Sequence, residues 1–243
     1  MAQSAESVLN RPLTAHGGPS VLLLEDQALI RAGMRALIQA SEPEAVISEA
    51  GSYDEAIECL ETAPPDVAFL DIDLKSARTG LDILVHIRAS GLSTRPIVLS
   101  ANGETTVVLN ALRMGACGYI LKDMDGDGLF RRALDTVFQG GVFLPAGVFG
   151  GQDPSSASAS PASLEAIGVR GRALEVLYYI CQGFSNQLIA EKMNLAESTV
   201  ANDYNTRLFR QFRVASRAAL IVEVSRLGII PPPPRAAAGN TVV

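Results

Sequence analysis

The feature of this sequence that most constrains its fold is a fivefold alternation of short apolar runs with amphipathic stretches. The apolar runs are VLLLE (21–25), AVISEA (45–50), DVAFLD (66–71), PIVLSA (96–101) and CGYILK (117–122). The amphipathic stretches cover residues 27–40, 53–62, 80–90, 104–114 and 126–139. Runs this short, bounded by Pro, Gly and Asp, are typical of parallel strands buried on both faces. The alternation predicts a doubly wound α/β domain with a five-stranded parallel sheet.

A second pattern begins after the tract GGQDPSSASASPAS (150–163), which has no hydrophobic period and indicates a flexible linker. Beyond it the periodicity is wholly helical and predicts a small all-α domain. Its helices are expected at 172–183, 186–194, 198–212 and 216–228. The predicted domain boundaries are a flexible leader at 1–19, the α/β domain at 20–142, a linker at 143–163, the helical domain at 164–230 and a disordered tail at 231–243.

The charge differs between these parts of the chain. Residues 1–163 hold 11 basic and 20 acidic side chains, a balance of −9, whereas residues 164–230 hold 8 and 6, a balance of +2. The chain as a whole carries −6. An acidic first domain and a mildly basic second one leave room for a nucleic-acid partner of the helical domain.

The cysteines, histidines and hydropathy exclude several classes of protein. Three cysteines, Cys59, Cys117 and Cys181, stand far apart in the sequence, which indicates reduced thiols instead of a disulfide framework or a zinc cluster. The chain has two histidines, too few to favour a histidine-based metal site. No apolar run approaches the roughly 20 residues of a membrane span, and residues 1–18 do not resemble a secretory signal. We therefore expect a cytoplasmic protein without membrane contact.

Polar side chains close four of the five predicted strands. Glu25 and Asp26 follow the first strand, Asp71 the third, Ser100 the fourth and Lys122 the fifth. In open parallel sheets, ligands bind beyond the carboxyl ends of the strands, where the strand order reverses, and the order 2-1-3-4-5 brings these residues together. Each of them alone is compatible with a solvated strand end, but five such residues at the ends of four strands form an improbable coincidence.

The chemistry of this cluster favours phosphoryl transfer. Three carboxylates in one pocket repel each other unless a cation relieves them, and Mg²⁺ binds one or two carboxylates together with water or phosphate oxygens. Lys122 supplies the positive charge that a phosphoryl oxygen needs. Asp71 is the central carboxylate and therefore the natural nucleophile for an acyl phosphate.

The segments VLLLED, PPDVAFLDIDL, PIVLSA and GYILKD resemble the receiver domain of two-component response regulators over about residues 21–142. The resemblance implies that Asp71 is the phosphoacceptor and that Mg²⁺ binds at Glu25, Asp26, Asp71 and the backbone carbonyl of Asp73. The switch and phosphate-binding residues that it implies are Ser100, Ala101, Tyr119 and Lys122. It also implies a sensor histidine kinase as phosphodonor, and no enzymatic activity beyond self-phosphorylation from small donors and autodephosphorylation.

Two other interpretations of the acidic residues are weaker. DIDL fits the D-x-D start of haloacid-dehalogenase-type phosphatases, but there the nucleophile lies on the first strand, whereas Asp71 ends the third. Asp123, Asp125 and Asp127 match the first half of an EF-hand loop, yet Leu134 stands where calcium needs a bidentate Glu. The loop DIDLKSARTG departs from the receiver pattern D-x-x-M-P-G, because it lacks the proline and is about one residue longer. This favours a more mobile loop beside the site.

The second and third helices of the tail are separated by about four residues, which predicts a helix-turn-helix whose second helix enters the major groove. The segments QGFSNQLIAEKMNLAESTV and FRVASRAALI resemble the LuxR-type DNA-binding module over about 60 residues. The matching residues are Gly183, Ser185, Asn186, Ile189, Ala190, Thr199, Val200, Val214, Arg217 and Ala218. Four-residue spacing predicts a buried face at Val200, Tyr204, Leu208 and Phe212.

The opposite face of that helix is the predicted DNA surface. Its residues are Thr199, Asn202, Asn205, Arg207, Arg210 and Arg213, with the asparagines reading bases and the arginines contacting phosphates. Ala201 and Asp203 stand where the family carries Lys and His, and Ala173 follows Arg172 where the family has Glu. Because an anion beside DNA is unfavourable, two functions stay open. One is a transcriptional regulator that binds promoter DNA as a homodimer; the other is a receiver protein whose helical domain binds a protein partner.

Overall fold

The computed structural model describes residues 18–122, 128–145, 164 and 167–234. The chain divides into two compact units, Met1–Val148 and Phe149–Val243. The predicted leader up to residue 17, most of the predicted linker, the tail from residue 235 and the aspartates of the EF-hand-like loop lie outside the described residues. No helix in the described part of the chain combines the length and the apolar character that a membrane span requires.

The first unit is built on a parallel sheet with the order β2-β1-β3-β4-β5, which confirms the predicted fold class. Its strands are β1 (Ser20–Leu24), β2 (Val46–Ala50), β3 (Val67–Asp71), β4 (Arg95–Ser100) and β5 (Gly118–Leu121). The register pairs Leu24 with Leu70 and Asp71 with Leu99, so the carboxyl ends of the central strands meet at one edge. That edge is where the sequence predicts the acidic cluster.

The helices that cover this sheet in the described part of the chain are α1 (Ala28–Ser41), α2 (Tyr53–Thr62), α3 (Gly80–Ala89), α4 (Thr105–Met114) and α5 (Leu129–Phe138). Helices α1 and α5 contact each other, and α3 contacts both α2 and α4, as expected when helices lie on both faces. A continuous apolar core fills the space between the sheet and the α1–α5 pair, where Phe69 and Phe130 pack edge to face at 5.3 Å. The helix α5 starts three residues later than predicted, after Gly128 with a φ of 79°.

The backbone pairing of the first unit extends beyond residue 142. Phe143 accepts a hydrogen bond from the Tyr119 N–H at 2.7 Å and donates to the Cys117 carbonyl at 3.2 Å. Val142 beside it is buried. Phe143 therefore pairs with the sheet, although the sequence predicts that the linker begins at this residue.

The second unit is helical, with α6 (Arg172–Cys181), α7 (Asn186–Met193), a π-helical segment (Thr199–Asn205), α8 (Thr206–Phe212) and α9 (Arg217–Arg226). Ser185 caps α7 by accepting a hydrogen bond from the Leu188 N–H, and Asn194 ends it with a φ of 50°. The π-helical segment and α8 together form the second helix of the predicted helix-turn-helix, called the recognition segment below. Pro231, the first residue of the predicted tail, is buried.

Candidate functional site

The centre of the strand-end cluster is an ion-paired lysine. Lys122 Nζ lies 2.7 Å from Glu25 Oε2 and 2.8 Å from Asp71 Oδ2, and both carboxylates are fully buried. Burial lowers the pKa of Lys122, but the two carboxylates outweigh it, so the pKa is raised overall and the ammonium form is favoured. Burial raises the pKa of Glu25, helped by the charge of Asp71, although the hydrogen bond from Lys122 opposes this.

The residues at this edge fit a hard divalent cation. Glu25, Asp26 and Asp71 each offer a carboxylate oxygen, and these oxygens lie within 4.8 Å of one another. Asp26 Oδ2 accepts the Lys75 N–H, whereas Asp26 Oδ1 is buried without a hydrogen-bond partner. A buried oxygen that accepts no hydrogen bond is costly unless another group binds it. Three clustered carboxylates with one unpartnered oxygen match the ligand preference of Mg²⁺.

Ser100 is buried at the end of β4, beside this cluster. Its Oγ donates to Asp73 Oδ2 at 3.2 Å and accepts the Asn102 N–H at 3.0 Å. The Tyr119 hydroxyl donates to the Asn102 carbonyl at 2.6 Å. Burial raises the pKa of Tyr119, so its phenol stays protonated and keeps this donor. Asn102 thus connects the two predicted switch residues through its backbone. This link cannot be predicted from the Asn102 side chain.

Two further predicted features lie around the cluster. Ala101 is exposed directly after Ser100, where its small side chain leaves the approach open. The loop 72–79 is longer than the receiver pattern, and in the structure the Arg78 guanidinium stacks over the Tyr53 ring at 4.6 Å. The predicted mobility of this loop stays a prediction.

Gly80 holds the first turn of α3 close to the phosphoacceptor candidate. A Cβ at this position would lie 2.2 Å from the carbonyl oxygen of Asp71, which no real side chain tolerates. Thr79 and Asp82 form a capping box that fixes the start of the helix. The sequence shows Gly80 as the end of the loop, and the structure adds that the glycine lets α3 approach Asp71.

The recognition segment presents part of the predicted DNA surface. Asn202, Arg207, Arg210 and Arg213 are exposed, and Thr199 is half-buried. Arg207 also donates to the carbonyl of Gly168 at 3.3 Å.

The structure contradicts the predicted exposure of Asn205 on the DNA surface. Asn205 is only 7% exposed and, with Val200, is one of the two buried residues of the π-helical segment. The physical reason is the winding: a π-helix closes its hydrogen bonds over five residues, so it brings residue i+5 round to the side of residue i. A four-residue spacing holds for an α-helix, in which Asn205 would lie on the exposed face.

Asn205 belongs instead to a buried polar network. Its Nδ2 donates to Asn186 Oδ1 at 2.9 Å, and Arg217 Nη1 donates to the same oxygen at 2.9 Å. Arg217 Nη2 donates to the Phe184 carbonyl. Burial lowers the pKa of Arg217 to about 10. The network joins the recognition segment to α7 and α9, and Asn186 and Arg217 are both among the residues that match the LuxR-type module.

Comparison with known proteins covers both units. Residues 21–134 match the family described as "Response regulator receiver domain", and residues 171–224 match "Bacterial regulatory proteins, luxR family". Over 206 residues the chain is 31% identical to the "Probable transcriptional regulatory protein NarL" of Mycobacterium tuberculosis, covering 85% of this chain and 93% of that relative. This chain belongs to the two-component response regulators of the LuxR/NarL type.

This response regulator has further relatives. It is 29% identical to the "Nitrate/nitrite response regulator protein NarL" of Escherichia coli K12, over 84% of the chain and 94% of the relative. The crystal structure of a LuxR-family two-component response regulator from Aurantimonas sp. SI85-9A1 superposes with a TM-score of 0.50 at 23% identity, covering 55% of this chain and 93% of that one, which shows the shared fold. The response regulator is a transcriptional regulator with a receiver and a helix-turn-helix domain, and the phosphatase alternative is excluded.

Proposed function

We propose that a sensor histidine kinase phosphorylates this response regulator on Asp71. The observation that supports the proposal best is the convergence of Lys122 on Asp71 at 2.8 Å beside three clustered carboxylates. In the reaction an Asp71 carboxylate oxygen attacks the phosphorus of the phosphohistidine, the N–P bond breaks with its electron pair going to the imidazole nitrogen, and an acyl phosphate forms.

The remaining residues have distinct roles in this proposal. Glu25, Asp26, Asp71 and the carbonyl of Asp73 would hold Mg²⁺, which would offset the negative charge of the phosphoryl oxygens. Lys122 stays protonated and contacts a phosphoryl oxygen. Three residues accommodate the phosphoryl group on Asp71: Ser100 as hydrogen-bond donor, Ala101 as the small residue at the entrance and Tyr119 as the aromatic that moves with Ser100.

The output proposed for the helical unit is binding of promoter DNA by a homodimer in the cytoplasm. Support comes from the exposed arginines of the recognition segment, which suit phosphate contacts, and from the exposed amide of Asn202, which suits base readout. Thr199 stands at the start of the segment, where a hydroxyl can reach a phosphate. Asn205 is left out of this surface because it is buried.

Intact-mass spectrometry after incubation with acetyl phosphate and Mg²⁺ tests the phosphoacceptor. We expect one added phosphoryl group in the wild-type chain and none in Asp71→Asn. The exposed Asp54 provides a matched control, since Asp54→Asn removes a carboxylate in the first turn of α2 without touching the site. Labelling that survives Asp71→Asn, or that ignores chelation of the metal, would contradict the assignment.

A further inference from the structure

The hydroxyl of Ser100 is already committed in this structure. Ser100 Oγ is buried and donates to Asp73 Oδ2 at 3.2 Å, where Asp73 competes with the Tyr119 hydroxyl for its single proton, while its lone pair accepts the Asn102 N–H. A serine hydroxyl carries one proton, so it cannot serve Asp73 and a phosphoryl group on Asp71 at once. Phosphorylation therefore has to break the bond to Asp73 before Ser100 can follow the phosphoryl group.

We propose that Asp73 is a positioning residue whose carboxylate holds Ser100 in the resting position and so opposes the switch. The inference rests on the proposed phosphorylation of Asp71 and adds a role for the Asp73 side chain, separate from its backbone carbonyl.

The geometry around Asp73 supports this role. The Asp73 N–H donates to Asp71 Oδ1 at 2.9 Å, so the same residue contacts the phosphoacceptor through its backbone and Ser100 through its carboxylate. Hydrogen bonds to an ionised acceptor are stronger than neutral ones. Asp73 itself is exposed, and solvation weakens its bond to Ser100. We therefore expect only a modest effect when the Asp73 carboxylate is removed.

The bond between Asp73 and Ser100 is also coupled to the buried Tyr119. Ser100 accepts the Asn102 N–H, and the carbonyl of Asn102 accepts the Tyr119 hydroxyl. A displacement of Ser100 therefore changes the hydrogen bond that fixes Asn102 and, through it, the one that fixes Tyr119. Asp73 thus restrains the whole chain of contacts and not the serine alone.

A cycle of four full-length proteins tests the proposal: wild type, Asp73→Ala, Ser100→Ala and the double variant. The readout is the apparent dissociation constant of beryllofluoride, a phosphoryl analogue, in the presence of Mg²⁺, followed by fluorine NMR. With Ser100 present, we expect Asp73→Ala to tighten binding about fivefold more than it does in the Ser100→Ala background. In the Ser100→Ala background, Asp73→Ala still removes a negative charge near the ligand, but there is no serine hydroxyl to release.

An equal change in both backgrounds would overturn the proposal, because only the charge of Asp73 would then act. Asp73→Asn, which keeps the size of the side chain and a neutral acceptor, is expected to fall between wild type and Asp73→Ala. Beryllofluoride binding that survives Asp71→Asn would instead refute the proposed phosphoacceptor.

The resting-state bond is tested separately by urea unfolding of the same four proteins without any phosphoryl analogue. Non-additive shifts of the unfolding midpoint are expected if Asp73 and Ser100 are bonded, and additive shifts would overturn the proposal whatever happens at Asp71.

Discussion

The two units of this response regulator hold buried charge in opposite ways. At the strand ends, the buried carboxylates of Glu25 and Asp71 share one lysine, and an oxygen of Asp26 has no partner. In the helical unit, the buried guanidinium of Arg217 is bound by an amide oxygen and a carbonyl, and no carboxylate pairs with it among the described residues. The first arrangement leaves negative charge that a cation from outside can meet. The second arrangement satisfies the guanidinium with groups of the same unit, and it fixes the helices relative to one another.

Loss of Arg217 should produce the largest effect, confined to the helical unit. Arg217→Ala leaves the Phe184 carbonyl short of a donor and opens a cavity, and we expect it to destabilise the unit by about 3 kcal/mol. Hydrogen exchange read by mass spectrometry should rise in α7 and α9 and stay unchanged in the receiver. Arg226→Ala is the control on the same helix, since Arg226 is exposed and pairs with Glu223. Equal exchange in both variants would mean that Arg217 does not hold these helices.

The receiver has its own sensitive position at Gly80. A methyl group there would collide with the Asp71 carbonyl, so Gly80→Ala should cost about 2 kcal/mol of unfolding free energy and lower phosphorylation of Asp71. Gly33→Ala in the exposed part of α1, where a Cβ meets nothing within 4 Å, should instead stabilise by about 0.5 kcal/mol. Urea unfolding of both variants checks this, and similar effects at the two glycines would contradict the close approach of α3 to Asp71.

The excess of carboxylates predicts stabilisation by metal in the receiver only. Mg²⁺ at ten times its dissociation constant should raise the free energy of unfolding by about 1.4 kcal/mol. Asp26→Asn should remove most of this gain, and should raise stability without metal because it removes a charge from the cluster. Thermal unfolding with Mg²⁺ and with a chelator measures both effects. A metal response that is unchanged in Asp26→Asn would place the ion elsewhere.

The exposed residues of the recognition segment should give smaller, separable effects on DNA. Arg210→Ala should weaken binding evenly across sequences by about 1 kcal/mol and reduce the salt dependence by about one phosphate. Asn202→Ala should lower base discrimination by about 1 kcal/mol at one position, and Asp203→His should strengthen binding by removing an anion.

Titration of the full chain against specific and random DNA at several salt concentrations measures all three. Binding equal to that of a charge-matched control protein, and unmoved by Asp203→His, would favour the protein-partner alternative.

The strand-end residues of the receiver could be predicted from the sequence, whereas the position of Asn205 in the helical unit could not. Alternating apolar runs place Glu25, Asp71, Ser100 and Lys122 at strand ends, and parallel strands bring such ends together without knowledge of any side-chain contact. Asn205 was assigned to the wrong face because its position depends on a π-helical winding that hydrophobic spacing does not reveal.

Contacts made by the backbone were equally hidden. Asn102 links Ser100 to Tyr119 through its N–H and carbonyl, groups that every residue except proline carries. Phe143 pairs with β5 in the same way, so the end of the sheet could not be located from side-chain chemistry.

We propose that phosphorylation of Asp71 in the receiver controls DNA binding by the helical unit, and a genome-wide binding profile of the tagged protein decides this. The profile is taken for the wild-type chain and for Asp71→Asn, at matched protein levels and under conditions that activate the kinase. We expect a set of promoter sites that are enriched with wild type and depleted with Asp71→Asn. Equal occupancy of the same sites by both proteins, or no enriched DNA with either, would contradict it.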